Sequence, residues 1–126
     1  ENYIEKLIYS LNDLEKRSLS LIICLSQFLQ DGIKEKAIYG IDNRITQPII
    51  KRLSTYSLIN VQRNKIYADK LISLKCLDFL SNYKNESYKK IYQYYKRFSS
   101  VSYIALFAAL KSDFKYDYAL IKKINM

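Results

Sequence analysis

Gln47, Lys51, Ser54 and Thr55 recur at steps of four, three and one, a spacing that lines them along one face of an α-helix. An amide, an ammonium and two hydroxyls are groups suited to base edges. Gln pairs with adenine, Lys with guanine, and Ser or Thr with either. Cations surround this face: Lys34, Lys36 and Arg44 precede it, and Arg52 stands to one side. Such groups hold phosphates and position a helix without reading sequence. Thr46 opens the helix and joins the set. Further along, Arg63 and Lys65 sit in the polar tip Gln62-Arg63-Asn64-Lys65, placed to reach a phosphate or the adjacent minor groove. Together these residues predict contact with double-stranded DNA.

Other chemistries lack their residues. The chain has no His, which removes His-based triads, imidazole acid–base catalysis and His-containing metal sites. Two Cys without His cannot build the usual zinc site, and two isolated Gly with no Gly-Lys-Ser/Thr exclude a Walker phosphate loop. No cluster of activating groups surrounds a Tyr nucleophile. The expectation is a protein that is not an enzyme, with no metal, no cofactor and no evident small-molecule substrate.

Net charge is +9 over 126 residues, with a pI near 9.5, and implies a polyanionic partner. Residues 1–30 carry three basic and four acidic groups, residues 31–66 seven and three, and residues 70–126 eleven and four. The positive field therefore belongs to the middle and the C-terminal part. The apolar runs at 19–25 and 101–110 fall short of the ~20 residues that cross a bilayer, so no membrane partner is expected. With no secretory signal in the sequence, Cys24 and Cys76 read as reduced core residues of a cytoplasmic protein, a disulfide between them being the lesser alternative.

The elements that must position the DNA-facing residues follow from periodicity and turn chemistry. Tyr3, Ile4, Leu7, Ile8 and Leu11 form one helical stripe. Asn12 and Glu15 have the spacing of a capping box, and an apolar helix follows from Ser18 until Asp31-Gly32 ends it. A short helix over 33–40 is stopped by Gly40, and residues 41–45 form a turn. Thr46 is a good N-cap and Pro48 falls in the first turn, opening a helix to about Tyr56 with Ile49, Leu53 and Tyr56 inward. Residues 58–61 and 66–68 read as two strands around the four-residue tip 62–65. Asp69 caps a helix whose buried stripe is Leu71, Leu74, Leu77, Phe79 and Leu80. The expected fold is mainly α with a small β-hairpin: a winged helix-turn-helix with helical N-terminal and C-terminal extensions.

The stretch KEKAIYGIDNRITQPIIKRLSTYSLI resembles the small winged-helix DNA-binding proteins widespread in archaea, which include nucleoid-associated proteins and transcriptional regulators. Tyr39-Gly40, Ile45, Ile49, Leu53 and Leu58-Ile59 occupy the positions of that pattern, and Ala68-Asp69-Lys70 resembles its next helix start. The resemblance covers roughly residues 18–82. It departs where Ser57 replaces the usual Gly before the Leu-Ile strand, and where the Thr-Glu-Lys-Gly helix start is only partly present. It implies a homodimer made through a C-terminal helix.

The remaining chain divides at residue 83: a DNA-binding domain over 1–83 and a helical extension over 84–126. Within the extension, Tyr88, Ile91, Tyr92, Tyr95 and Phe98 recur at three- and four-residue steps. Interleaved Tyr and Lys also suit unpaired bases, but this regular spacing favours a helix that packs, so these five are the expected dimer face. A kink is expected near residues 82–87, and a last helix near 117–124. The functional expectation is a transcriptional regulator or nucleoid-type architectural protein. The alternative is a winged helix that docks an acidic protein partner without touching DNA.

Overall fold

The computed structural model describes residues 3–112. Ten short elements build it: α1 (Tyr3–Ser10), α2 (Asp13–Ser26), β1 (Ile33–Lys34), α3 (Glu35–Ile41), α4 (Gln47–Thr55), β2 (Asn60–Gln62), β3 (Lys65–Tyr67), α5 (Lys70–Phe79), α6 (Ser81–Tyr95) and α7 (Ser102–Lys111), with a 3-10 turn at Ser99–Val101. The fold is mainly helical with one three-stranded antiparallel sheet.

Helix α2 is the central post. Asn12 caps it: its Oδ1 accepts from the Glu15 amide at 2.8 Å, and the Asn12 amide donates back to Glu15 Oε1 at 2.9 Å. This is the expected capping box, which satisfies two helix-end donors reciprocally. Every residue from Ser18 to Leu25 is buried, so the helix is enclosed on all sides, as a post between layers must be. It ends at Ser26, earlier than expected. Gly32 serves a different turn, with φ +103° leading into β1, and the Tyr67 ring lies so close that a Cβ there would meet it at 2.8 Å.

Strand β1 is absent from the sequence reading, which started a helix at Ile33. Two residues are too few to leave a periodic signal. In the sheet, of order β1-β3-β2, Ile33 stands opposite Ile66, and Ile66 opposite Val61. Burial of Ile33 and Ile66 anchors the sheet on the core. The connection from β2 to β3 is tighter than the expected four-residue tip. Only Arg63 and Asn64 form it, with φ of +51° and +65°, the two left-handed residues of a hairpin turn whose twist matches its strands.

Gly40 does not stop α3, which continues to Ile41. Its role is close approach: a Cβ at Gly40 would lie 3.1 Å from Tyr94 of α6. In α4, Ile50 and Leu53 point into the core, with Ile49 and Tyr56 half-buried beside them. In α5 the buried face is Ser73 and Cys76, and Leu71 and Leu74 are 74% and 60% exposed, opposite to the expected stripe. The chain breaks at buried Leu80, between α5 and α6, before the expected kink.

The boundary expected after residue 83 falls inside α6, which is unbroken from Ser81 to Tyr95. One core cluster runs from Ile8 on α1 to Ala109 on α7, so α6 is a wall of the domain. Its apolar face is spent within the chain. Tyr88, Ile91, Tyr92 and Tyr95 are buried, in a helix packed against α2 and α7, where Ile104, Ala105, Ala108 and Ala109 form the facing stripe. These four residues are therefore not a free surface for a second copy. Phe98, 42% exposed, is the one member of the expected dimer face left outside. The helix expected near 117–124 lies outside the described residues.

Candidate nucleic-acid interface

Helix α4 turns its polar face outward. Thr46, Gln47, Lys51 and Thr55 are exposed, and Ser54 is half-buried. The Thr46 hydroxyl makes no capping hydrogen bond, and the side chains of Gln47 and Lys51 have no partner among the described residues. Thr55 is committed, its hydroxyl donating to the Lys51 carbonyl at 2.9 Å. The available groups are thus a hydroxyl, an amide and an ammonium at the start and middle of the helix.

Two of the expected phosphate-binding arginines are occupied. Arg52 Nε donates to Glu15 Oε2 at 2.6 Å, and its guanidinium lies 5.1 Å from the Tyr56 ring centroid. It fastens α4 to α2. Arg44 grips Asp42 with two bonds, Nε to Oδ1 at 3.0 Å and Nη2 to Oδ2 at 2.8 Å, while its backbone amide donates to Oδ1 at 3.0 Å. Lys90 from α6 donates to the same carboxylate at 2.5 Å. The Arg44 guanidinium holds Asp42 well below the usual carboxylate range, with Lys90 adding to it and burial opposing it. Arg44 is itself raised by Asp42. Lys90 also faces Glu86 at 3.4 Å, Glu86 pairs with Arg17, and Arg17 with Asp13 at 2.7 Å. This alternating chain of charges locks the α3–α4 turn to α6 and α2. Sequence reasoning missed Lys90, which stands 48 residues from Asp42, a separation at which no local pattern carries information.

The other four cations converge. Strand pairing sets Lys34 directly opposite Lys65, and the Glu35 amide donates to the Asn64 carbonyl at 3.0 Å, tying the hairpin tip to the first turn of α3. Between them lies a cleft of about 400 Å³ lined by Lys34, Lys36, Arg63 and Lys65 together with Glu35 and Tyr39. Four cations meet one carboxylate, a local formal charge of +3. Tyr39 donates to Glu35 Oε2 at 3.0 Å, and its hydroxyl is pushed up to about 12, by burial first and then by that carboxylate. None of the four cations has an ion-pair partner among the described residues. Like charges directly opposite across a sheet destabilise it, so the arrangement opposes folding locally and suits an anion. The sequence presents Lys34 and Lys36 as one pair and Arg63 and Lys65 as another; the β1–β3 register merges them.

Among the described residues no group of His, Cys, Asp or Glu is disposed to hold a metal ion, and no helix is long and apolar enough to cross a membrane. Cys24 and Cys76 are buried and unbonded. Burial pushes both thiols up, Cys76 to about 11, which opposes thiolate chemistry. Comparison with known protein families, with characterised proteins and with solved structures found no match.

Proposed function

We propose that this chain is a winged helix-turn-helix protein that binds double-stranded DNA, with α4 in the major groove and the β2–β3 hairpin as the wing. The order α2-β1-α3-α4-β2-β3, with strands arranged β1-β3-β2, supports that assignment. The observation that carries it is the state of α4: the face bearing Thr46, Gln47 and Lys51 is exposed, and neither α6 nor α7 covers it. A helix so presented fits the major groove, and a hairpin beside it reaches backbone. The cleft of Lys34, Lys36, Arg63 and Lys65 supplies the phosphate-binding charge, whereas Arg44 and Arg52 serve chiefly to hold the turn and the helix in place. Charge-led binding releases counterions. With about four phosphate contacts, the logarithm of affinity falls against the logarithm of salt with a slope near −3.6.

Fluorescence anisotropy with a random-sequence duplex, titrated at several salt concentrations, tests this reading. Binding at low salt that weakens steeply with added salt is the expected result. Absence of binding at low salt overturns it, and directs attention to an acidic protein as the partner of the same cations.

A further inference from the structure

A second cavity, larger than the hairpin cleft, lies between α2, β3, α5 and α6. Its volume is about 590 Å³, within the range of roughly 300–1,000 Å³ typical of small-molecule pockets. Its walls are apolar where Ile23, Ile66 and Leu77 meet it. Its polar groups are unevenly satisfied. The Gln27 amide donates to the Tyr88 hydroxyl at 2.8 Å, pairing those two with each other. Ser73 is different: it is 8% exposed, it lines the cavity, and its Oγ has no hydrogen-bond partner among the described residues.

A buried hydroxyl left unpaired is costly, and a native protein that keeps one calls for a reason. A helical Ser ordinarily returns its hydroxyl to the carbonyl one turn back, as Ser18 does to Leu14 at 2.7 Å. Ser73 does not. Charge supplies the second, independent sign. Lys70, Lys84 and Lys111 line the cavity, and no acidic residue does among the described residues. Lys111 rests 5.8 Å from the Tyr88 ring centroid, and none of the three lysines has an ion-pair partner among the described residues. Three uncompensated ammonium groups around an apolar space, with one orphan hydroxyl inside it, describe a receptor for an anion that carries an apolar body.

We propose that this cavity binds a small organic carboxylate with an aliphatic or aromatic body: the body lies against Ile23, Ile66 and Leu77, the carboxylate meets the lysines, and Ser73 Oγ donates to a ligand oxygen. The site stands apart from the hairpin cleft and does not depend on DNA binding. It also has a mechanical consequence. Ile66 and Tyr67 belong to the central strand β3, and the Tyr67 ring is held against Gly32. A bound molecule therefore braces that strand from the cavity side, and amide exchange at Ile66 and Tyr67 slows on binding.

The test is calorimetric titration of the full chain, without DNA, using decanoate, decanol and decyltrimethylammonium below their micelle concentrations. Decanoate is expected to saturate at one per chain, with decanol about tenfold weaker because it lacks the charge and the cationic analogue not binding. Ser73→Ala and Lys84→Gln are each expected to weaken decanoate about threefold or more. Ser73→Ala should melt no lower than the parent, since it removes an unpaired buried hydroxyl, so lost affinity cannot be ascribed to misfolding. Equal binding of decanol and decanoate, non-saturating uptake, or unchanged affinity in Ser73→Ala would each overturn the proposal.

Discussion

Arg52 of α4 donates to Glu15 of α2 at 2.6 Å while the other oxygen of that carboxylate closes the α2 capping box. One side chain, 6% exposed, thus starts the central helix and orients the helix offered to DNA. The two duties separate by substitution. Glu15→Gln keeps an acceptor for the Asn12 amide and loses the ion pair, whereas Glu15→Ala loses both. Chemical denaturation is expected to show Glu15→Ala less stable than Glu15→Gln by about 1 kcal/mol, the worth of the cap. A double-mutant cycle of Glu15→Gln with Arg52→Ala is expected to give a coupling of about 1 kcal/mol, modest because Arg52 is half-exposed.

Asp42 makes stability depend on acid. Its folded carboxyl ionises below the ordinary Asp value of about 3.9. The stabilisation is therefore complete above that value and is lost as pH falls below it toward the folded value. Asp42→Asn is expected to cost about 2 kcal/mol at neutral pH, less than a fully enclosed pair because Arg44 is half-exposed. Melting curves of parent and variant should converge as pH drops through the ordinary Asp range. A constant gap across that range would show that the hydrogen-bond geometry, rather than the charge, stabilises the turn.

Ser57 holds φ +60° just after α4, with its amide donating to the Ser54 carbonyl at 2.9 Å. Left-handed backbone costs a residue with a Cβ about 1–2 kcal/mol, part of which Gly forfeits through its looser unfolded chain. Ser57→Gly is expected to raise stability by about 0.5–1 kcal/mol, read as a higher denaturation midpoint, with DNA affinity unchanged.

Lys51 and Lys65 are expected to differ in kind. Lys51→Ala on the exposed face of α4 changes which duplexes are preferred. Lys65→Ala in the hairpin cleft weakens all duplexes alike and lowers the salt slope by about 1. Competition binding against a panel of unrelated duplexes separates them. Equal loss across the panel for both variants would favour an architectural role over a sequence-reading one.

The parts of this fold legible in the sequence are those set by neighbours along the chain. The Asn12–Glu15 capping box, the opening of α4 at Thr46 with Pro48 in its first turn, and the existence of a hairpin around Asn64 all follow from local chemistry. The unread parts depend on partners distant in sequence. Periodicity announced a buried face on α6 but not what would bury it, and Tyr88, Ile91, Tyr92 and Tyr95 proved to face α2 and α7. On α5 the apolar Leu71 and Leu74 lie outside while Ser73 and Cys76 lie inside, because docking of the helix on its neighbours overrode residue type. The candidate site divides the same way. The exposed groups of α4 were visible in their spacing, but the meeting of Lys34 with Lys65 needed the register of a two-residue strand. The engagement of Arg44 and Arg52 needed Asp42, Lys90 and Glu15 in three dimensions.

The facing ammonium groups of Lys34 and Lys65 give ionic strength two opposite effects within one molecule. Added salt screens the attractions that lock Asp42 and Glu15 in place, and loosens the joint around α4. The same salt screens the repulsion across the β1–β3 ladder, and tightens the sheet. A melting temperature averages these responses and shows little change. Residue-resolved amide exchange separates them, with protection rising in the hairpin as it falls in the turn before α4.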